Sequence, residues 1–267
     1  MFLRKLRVFL LLMLFRRRPT ISLLIPFSSK DPIRRRNFKW LLKYWAVQLP
    51  EAEIIIGHST SKPFCKSEAI NKAAEKAHGN ILVVLDADAL FSPHIIRSCA
   101  TSIIEEKILG HNLWYIPYRH LWRLNQETTE QVISNSPSDY DFLGDEVPFP
   151  YQIEGDGTQA KYGHRFAAMI MMFPREAFEA IGGFDERFKG WGGEDVAHMR
   201  AIDTLWGKHK TVNANIYHLW HPTFGDSYRT RMWAGQSAPN SNSKLAMAYH
   251  KASRKPSEMR ELVTKKK

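Results

Sequence analysis

Cysteine is scarce in this chain of 267 residues, which contains only Cys65 and Cys99. Two cysteines cannot build the disulfide framework of a small secreted protein, and they are too few for a cysteine-based zinc cluster. Hydrophobic residues make up 44% of the chain and charged residues 24%, proportions that exclude a disordered protein. The sequence therefore predicts a folded protein with a sizeable core, and its two thiols fit a reducing compartment.

Long hydrophobic runs are also missing. The apolar run Val8–Phe15 is far shorter than the roughly 20 residues that a helix needs to cross a bilayer. Arginines 16–18 and Pro19 follow it, where a signal peptide would carry small residues for cleavage. We therefore expect residues 1–18 to lie on a membrane surface or to pack on the domain, in a cytoplasmic protein that is at most peripheral to a membrane.

The body of the chain lacks an excess of charge, although the whole chain carries +11. Residues 1–18 hold six basic groups and no acid, and residues 254–267 hold six basic groups and two acids, which leaves +1 on residues 19–253. A near-neutral body argues against a basic groove for nucleic acid, so no specific nucleic-acid partner is expected. The basic ends, residues 1–18 and a tail at 236–267, are interpreted as solvated segments.

Strands and helices alternate after Pro19. Apolar runs predict buried strands at 20–26, 53–57, 81–85 and 112–118, and a further apolar block lies at 166–173. Apolar residues at helical spacing predict helices at 34–48, 66–78, 92–109 and 175–181. This order predicts an α/β fold with a mainly parallel sheet flanked by helices and with ligands at the carboxyl ends of its strands. The polar stretch 119–163 is too long for a plain connection and is interpreted as an insertion or lid within a domain at 19–235.

Two carboxylates follow the third predicted strand, in the triplet Asp86-Ala87-Asp88. Alternate residues of a strand point to the same side, so this spacing predicts that Asp86 and Asp88 converge outside the sheet. Carboxylates so close repel each other unless a cation lies between them, and a divalent ion completed by phosphate oxygens is the usual solution. The alternative is an ordinary surface pair that caps the following helix.

The hexapeptide Gly-Trp-Gly-Gly-Glu-Asp at 190–195 is a second unusual motif. Its glycines allow a tight turn, its indole offers a flat apolar face, and Glu194 and Asp195 stand at an expected helix start. The alternative is a glycine-rich turn with a core tryptophan and with acids favoured by the helix dipole. Further along, His218 and His221 follow an expected strand, where a metal or phosphate role is as well supported as a core role.

Together these motifs resemble family-2 glycosyltransferases of the GT-A fold. The later part looks like the carboxy-terminal module shared by β-1,4-galactosyltransferases and polypeptide N-acetylgalactosaminyltransferases. The resemblance implies a nucleotide-binding half at 19–118 and a smaller acceptor-side, catalytic half at 164–235. It covers about residues 20–225 and rests on Ile21–Pro26, Asn71, Asp86-Ala87-Asp88, Gly182–Glu186 and Gly190–Asp195.

The resemblance also implies where the ligands bind. A nucleotide-sugar donor would lie across the strand ends with Mn²⁺ or Mg²⁺ on its diphosphate. Asp88 is the firmest expected metal ligand, Asp86 touches the metal or the ribose, and His218 completes the set, with His221 as the second choice. The expected donor-binding residues are Pro26, Phe27, His58, Asn71, Asp86, Ala87 and Asp88, and the expected acceptor-binding residues are Trp191, Gly192, Gly193 and Glu194.

One element usual in the family is missing from the sequence. Members carry an Asp-Asp-Gly-Ser type element after the second strand, and its aspartate binds uracil, whereas this chain has Gly57-His58-Ser59-Thr60 there. His58 can still donate a hydrogen bond to a base or stack on it. Although the uracil-binding aspartate is missing, a UDP-sugar stays the first expectation for the donor, and a GDP-sugar is the second.

The implied reaction is metal-dependent, inverting transfer of a hexosyl or N-acetylhexosaminyl group to a hydroxyl of a carbohydrate or protein. We expect Asp195 to act as the base, Glu194 to bind acceptor hydroxyls and Trp191 to stack against the sugar. Two other functions stay open, a carbohydrate-binding relative without turnover and a nucleotidyltransferase. The latter usually has a glycine-rich basic loop after the first strand, of which residues 27–30 are a poor version.

Overall fold

The structure, a computed structural model, describes residues 19–140, 169–190, 192–222 and 240–266. Its strands are β1 (Ile21–Pro26), β2 (Glu53–Gly57), β3 (Ile81–Leu85), β4 (Ala89–Leu90), β5 (Tyr115–Ile116), β6 (His120–Arg123), β7 (Ile170–Pro174), β8 (Lys210–Thr211) and β9 (Asn215–His218). Its α-helices are α1 (Pro32–Gln48), α2 (Lys66–Lys76), α3 (Pro93–Ile108), α4 (Gln126–Ser134), α5 (Arg175–Ala180), α6 (Glu194–Leu205), α7 (Asn240–Ala252) and α8 (Pro256–Thr264).

The main sheet has the strand order β2-β1-β3-β7-β5-β8. Strand β1 pairs in parallel with both β2 and β3, so the ends of these three strands meet at one edge, as the alternation of strands and helices predicts. Every residue of β1, β3 and β7 is buried, because helices cover this part of the sheet. The predicted α/β class is confirmed, and the antiparallel direction of β7 is a feature that the helix–strand alternation did not predict.

A smaller sheet of order β4-β9-β6 stands beside the ends of the main strands. Strand β4 begins immediately after Asp88 and pairs antiparallel with β9, so that Ala89 lies opposite His218. Strand β6 pairs in parallel with β9 on its other side. The small sheet therefore brings the end of β9, more than 120 residues later in the chain, next to the carboxylates that follow β3.

Capping residues set where the helices near this edge begin. The Asp31 side chain accepts a hydrogen bond from the amide of Arg34 at 2.7 Å, and Pro32 occupies the first position of α1. The Ser92 side chain accepts from the amide of His94, and Pro93 follows it at the start of α3. Both helices therefore start at the same edge of the sheet at which the candidate ligands converge.

Two regions that composition predicted to be irregular contain regular structure. Residues 120–123 and 126–134, within the proposed insertion at 119–163, form β6 and α4, and Leu121 and Val132 are buried there. Residues 240–252 and 256–264, assigned to a basic tail, form α7 and α8, whose Tyr249 and Met259 are fully buried. Counting charges missed these helices because their charged residues are exposed, whereas Tyr249 and Met259 pack inward.

Residues 1–18 lie outside the described residues, so the two alternatives for that segment stay predictions. Within the described ranges, the structure contains no helix that combines the length and the hydropathy required to cross a bilayer.

The junction of β2 and α2 depends on a close approach at Gly57. A Cβ atom at Gly57 would overlap the carbonyl group of Ala69 in α2, so we expect Gly57→Ala to push this helix off the sheet and to lower the free energy of unfolding by about 3 kcal/mol. Gly110→Ala is the control, since Gly110 has open space around it and only its φ of +79° opposes a side chain, which costs about 1 kcal/mol. Urea unfolding followed by tryptophan fluorescence measures both values, and equal losses would contradict the prediction.

Candidate metal and catalytic site

The carboxylates of Asp86 and Asp88 have different partners. Strand β3 ends at Leu85, and Ala87 and Asp88 lie in a turn, so the alternation of an extended strand, on which their predicted convergence rested, does not continue through the triplet. Asp86 is anchored to the start of β7, because its amide donates to the Met169 carbonyl at 2.8 Å and its Oδ2 accepts from the Met169 amide at 3.3 Å. Met169 adopts φ of +77°, a strained conformation for a residue with a side chain, next to the site.

Asp88 forms a cluster with two histidines. Its Oδ2 lies 3.1 Å from Nε2 of His221 and 3.7 Å from Nε2 of His218, and Nη2 of Arg34 approaches the same oxygen at 3.3 Å. The cluster is held in place by the backbone, since the amide of Leu219 donates to the Asp88 carbonyl at 2.9 Å. Asp88 is only 5% exposed, so this carboxylate is nearly removed from bulk water.

The protonation states in the cluster suit a divalent cation. Burial disfavours the charged form of Asp88, but His218, His221 and Arg34 outweigh it and hold the pKa of Asp88 well below its usual range. Burial lowers the pKa of His218 to about 4, against the effect of Asp88, so that imidazole is neutral at pH 7. One carboxylate and two imidazoles have ligand atoms within 4.8 Å of one another, which fits a metal such as Mn²⁺.

A second cluster surrounds the ammonium group of Lys66. Its Nζ lies 2.7 Å from Oδ1 of Asp86, 3.0 Å from Oδ2 of Asp195 and 4.0 Å from Oε1 of Glu194. Burial alone would lower the pKa of Lys66, but the three carboxylates raise it well above its usual value, so the group stays positively charged. One lysine thus joins the aspartate that follows β3 to the acidic pair that begins α6.

The loop before α6 is locked to the start of α2. The amide of Gly190 donates to the Phe64 carbonyl at 3.1 Å, and the thiol of Cys65 donates to the Phe188 carbonyl at 3.2 Å. Gly193 ends the loop at φ of +97°, where a side chain would also meet the ring of Phe188. Because Cys65 precedes the lysine directly, these contacts bring the first residue of α2 opposite the first two residues of α6.

In the acidic pair of α6, Glu194 is buried and Asp195 is half-buried, and each carboxylate is only partly bonded. Burial raises the pKa of Asp195, and although Lys66 opposes this shift, the neighbouring charges of Glu194 and Asp86 add to it and bring the pKa to about 8. Oδ1 of Asp195 and Oε2 of Glu194 are buried and have no hydrogen-bond partner among the described residues. Buried oxygens without partners are costly, and a bound ligand that donates hydrogen bonds would satisfy them.

The other residues expected to bind the donor surround the strand ends in different ways. Pro26 and Ala87 are buried beside the edge, Phe27 stacks on Phe38 with ring centroids 3.9 Å apart, and His58 is exposed after β2. The Asn71 side chain is engaged elsewhere, since it donates to the Phe184 carbonyl at 2.9 Å and to Oε1 of Glu186 at 2.8 Å and accepts from the Phe184 amide. It therefore holds the loop at 182–186.

Three residues expected on the acceptor side, at 191–193, precede α6 in the chain. Trp191 lies outside the described residues, so its stacking role stays a prediction. Gly192 and Gly193 occupy the turn before α6, and the side chain of Asn242 in α7 donates to the Gly192 carbonyl at 3.2 Å and to the Lys189 carbonyl at 3.0 Å. Helix α7 thus holds the backbone of Lys189 and Gly192 ahead of α6.

Sequence reasoning missed Arg34 and Lys66 as members of the site. Arg34 is one of three consecutive arginines, and it differs from the other two in the sequence only in being nearest to the end of β1. Lys66 carried no signal of its own, because a lysine at the start of a helix is usually solvated. Its role became visible only when tertiary contacts placed three carboxylates around it.

Two known families match parts of the chain. Residues 51–182 match the family described as glycosyl transferase family 2, and residues 157–221 match the family described as the N-terminal domain of galactosyltransferase. The resemblance to family-2 glycosyltransferases is confirmed. The matched ranges include the triplet after β3, the acidic pair of α6 and both histidines of the cluster, and they support a glycosyltransferase. Among curated proteins, no sequence matches significantly.

Three solved structures show low similarity to the chain. GalNAc-T7 with UDP, GalNAc and Mn²⁺ has 14% identity and a TM-score of 0.47, with 94% of this chain and 55% of that chain covered, so this chain spans about half of that protein. Drosophila beta1,4galactosyltransferase 7 in complex with xylobiose has 14% identity and a TM-score of 0.43, with 85% and 79% covered. Mannosyltransferase PcManGT from Pyrobaculum calidifontis in complex with GDP-Man and Mn²⁺ has 12% identity and a TM-score of 0.42, with 98% of this chain and 81% of that chain covered. Similarity this low does not carry their ligands over to this chain.

The histidine–aspartate cluster generates a prediction about metal affinity. We expect His221→Ala to weaken Mn²⁺ binding at least about 10-fold, a loss found even for groups that only orient metal ligands. His111→Ala is the control, because His111 is exposed and contacts Glu106 instead. Isothermal titration with Mn²⁺ in the absence of nucleotide measures both, and unchanged affinity in His221→Ala would remove that residue from the ligand set.

Proposed function

We propose that the protein is a metal-dependent, inverting glycosyltransferase that moves a hexosyl or N-acetylhexosaminyl group from a nucleotide sugar to a hydroxyl acceptor. The observation that carries this proposal is the position of Lys66, whose ammonium nitrogen lies within 3.0 Å of both Asp86 and Asp195. The carboxylate expected beside the donor and the carboxylate expected to act as base therefore face one small space. A carbohydrate or a protein side chain could supply the acceptor hydroxyl.

The metal would bind through Asp88, His218 and His221. Their oxygen and nitrogen atoms form the three-membered cluster described above, and Asp86 joins the set if Lys66 releases its Oδ1. Mn²⁺ and Mg²⁺ both accept carboxylate oxygens, and the two imidazoles favour Mn²⁺. A divalent cation at this position supplies positive charge to the diphosphate that leaves with the nucleotide.

Asp195 is proposed to take the proton from the acceptor. In a single displacement the acceptor oxygen forms a bond to the anomeric carbon, the bond from that carbon to the diphosphate oxygen breaks, and the hydroxyl proton passes to Oδ1 of Asp195. A carboxylate with a raised pKa is a stronger base than an ordinary aspartate, and Lys66 favours its ionised form. The partnerless oxygen of Glu194 is suited to accept hydrogen bonds from other acceptor hydroxyls, and Trp191 is proposed to stack against the sugar.

The loop after β2 is proposed to receive the base of the nucleotide. Glu68 in α2 accepts hydrogen bonds from the hydroxyls of Ser59, Thr60 and Ser61 at 2.6 to 2.8 Å. These hydroxyls are therefore committed to the protein, and the imidazole of His58 is left exposed at the end of the strand. One imidazole discriminates between bases less strictly than an aspartate does, so more than one nucleotide sugar has to be tested. UDP-sugars are the first donors to test and GDP-sugars the second.

The compartment is proposed to be the cytoplasm. Cys65 and Cys99 are both buried and unpaired, and burial raises the pKa of Cys99 to about 12, so neither thiol requires or invites an oxidising environment.

Chelation tests the dependence on metal. We expect excess EDTA to abolish release of nucleotide from a panel of nucleotide sugars and Mn²⁺ to restore it, because the cluster at Asp88 needs a cation to hold a diphosphate. Nucleotide release measured in the presence of acceptor separates transfer from hydrolysis. Full activity in excess EDTA would contradict the metal assignment, and donor binding without any turnover would identify a binding protein. A nucleotidyltransferase would release pyrophosphate instead of a nucleoside diphosphate.

Asp195→Asn tests the base. The amide is nearly isosteric with the carboxylate but cannot accept a proton at neutral pH, so we expect transfer to fall by about 10²–10⁴-fold while donor affinity changes little. Asp88→Asn is the matched comparison, and it should weaken metal and donor binding first. Glu194→Gln should raise the acceptor concentration required more than it slows the chemical step. Transfer at the wild-type rate in Asp195→Asn, measured under donor saturation, would assign the base elsewhere.

A further inference from the structure

A groove of about 720 Å³ runs between α1 and residues 133–137. Five cationic side chains line it, and no acidic residue does. Arg35, Lys39 and Lys43 are exposed and follow one another at intervals of four residues, so they form a stripe along one face of the helix. Lys30 and Arg36 extend the same basic surface, which we call the α1 stripe.

Most of the charge in the α1 stripe is not neutralised. Arg36 forms an ion pair with Glu130 of α4, but Lys30, Arg35, Lys39 and Lys43 have no ion pair within the residues that the structure describes. The neighbouring Arg34 points the other way, to Asp88, so the α1 stripe does not belong to the metal cluster. The near-neutral charge of the chain body as a whole conceals this local excess.

An exposed apolar side chain continues the α1 stripe. Val47 follows Lys43 by one turn and is 52% exposed, a fraction matched among large hydrophobic side chains of the described residues only by Met247. Lysines and arginines on an exposed helix face attract anionic headgroups, and an apolar residue beside them favours the boundary below those headgroups. Arg35 and Lys43 are about 12 Å apart along the helix axis, a spread that suits several headgroups better than one phosphate.

The position of this face in the fold adds a second argument. Helix α1 ends at Gln48, and β2 then starts at Glu53, which lies opposite Ser22 at the beginning of β1. The Val47 end of the α1 stripe therefore lies at the edge of the sheet where the chain enters β1 from residues 1–18. Those residues carry six basic groups around an apolar run, and stable attachment to a membrane usually needs two such signals.

We propose that the α1 stripe is a docking surface for a bilayer that contains anionic lipids. The lysines and arginines contact the headgroups, Val47 contacts the acyl boundary, and the metal cluster stays on the opposite side of α1. This surface is separate from the proposed chemistry, so loss of one would not imply loss of the other.

Vesicle sedimentation of the full chain tests the proposal. Wild-type protein should bind vesicles of phosphatidylcholine with about one third phosphatidylserine and should not bind pure phosphatidylcholine, because the attraction is electrostatic. The double variant Lys39→Gln/Lys43→Gln should lower the partition coefficient about 30-fold, on the usual contribution of a lysine near an anionic surface. Its thermal stability and donor hydrolysis should match those of the wild type, since both side chains are exposed and outside the candidate site.

The double variant Lys208→Gln/Lys251→Gln is the control, because it removes the same charge from exposed positions on other elements and should bind as the wild type does. Equal binding by all three proteins would assign the attachment to residues 1–18 and overturn the proposal, as would absence of binding by the wild type. Binding of inorganic phosphate to the same proteins is the second measurement. A phosphate affinity that Lys39→Gln/Lys43→Gln removes while vesicle binding is unchanged would identify a site for soluble anions and also overturn it.

Discussion

The charge of one buried ammonium group holds the candidate active site together. Asp86, Glu194 and Asp195 are three carboxylates from two distant parts of the chain, and without a cation among them their mutual repulsion would force the two parts apart or require protons to bind. Lys66 supplies that cation from a third part of the chain. Its ion pairs join the end of β3, the start of α2 and the start of α6, and they are strengthened because little water reaches them. The hydrogen bonds made by Gly190 and Cys65 reinforce the same junction.

Asp86 and Asp88 have different partners because the chain turns between them. Asp86 bonds to Met169 and faces Lys66, whereas Asp88 immediately precedes β4, the short strand that pairs with β9, and faces the histidines. One tight turn after one buried strand therefore contributes a carboxylate to each cluster: Asp88 to the candidate metal ligands and Asp86 to the group around Lys66. The strained backbone of Met169 is compatible with this arrangement, since its two hydrogen bonds to Asp86 hold it in place.

The order of the elements and the end of β3 could be predicted because local patterns determine them. Buried parallel strands need continuous apolar runs, and the caps at Asp31 and Ser92 act within a few residues. The direction of β7, the helices at 240–264 and the roles of Arg34 and Lys66 depend on contacts between residues far apart in the chain, on which composition and spacing carry no information. The donor and acceptor assignments rest on family resemblance and stay predictions, and no pattern in the sequence indicated that Asn71 holds the loop at 182–186.

The contacts made by Asn242 and Lys266 bear on how the protein is synthesised. Asn242 bonds to the carbonyls on both sides of Trp191, and Lys266 donates to the carbonyls of Ile181 and Gly183. These residues leave the ribosome after every other part of the site, and domains generally fold from the amino-terminal side during synthesis. Residues 19–118, the half expected to bind the nucleotide, can therefore assemble early, while the loop expected to face the acceptor gains its full set of hydrogen bonds only after residues 242–266 have been synthesised.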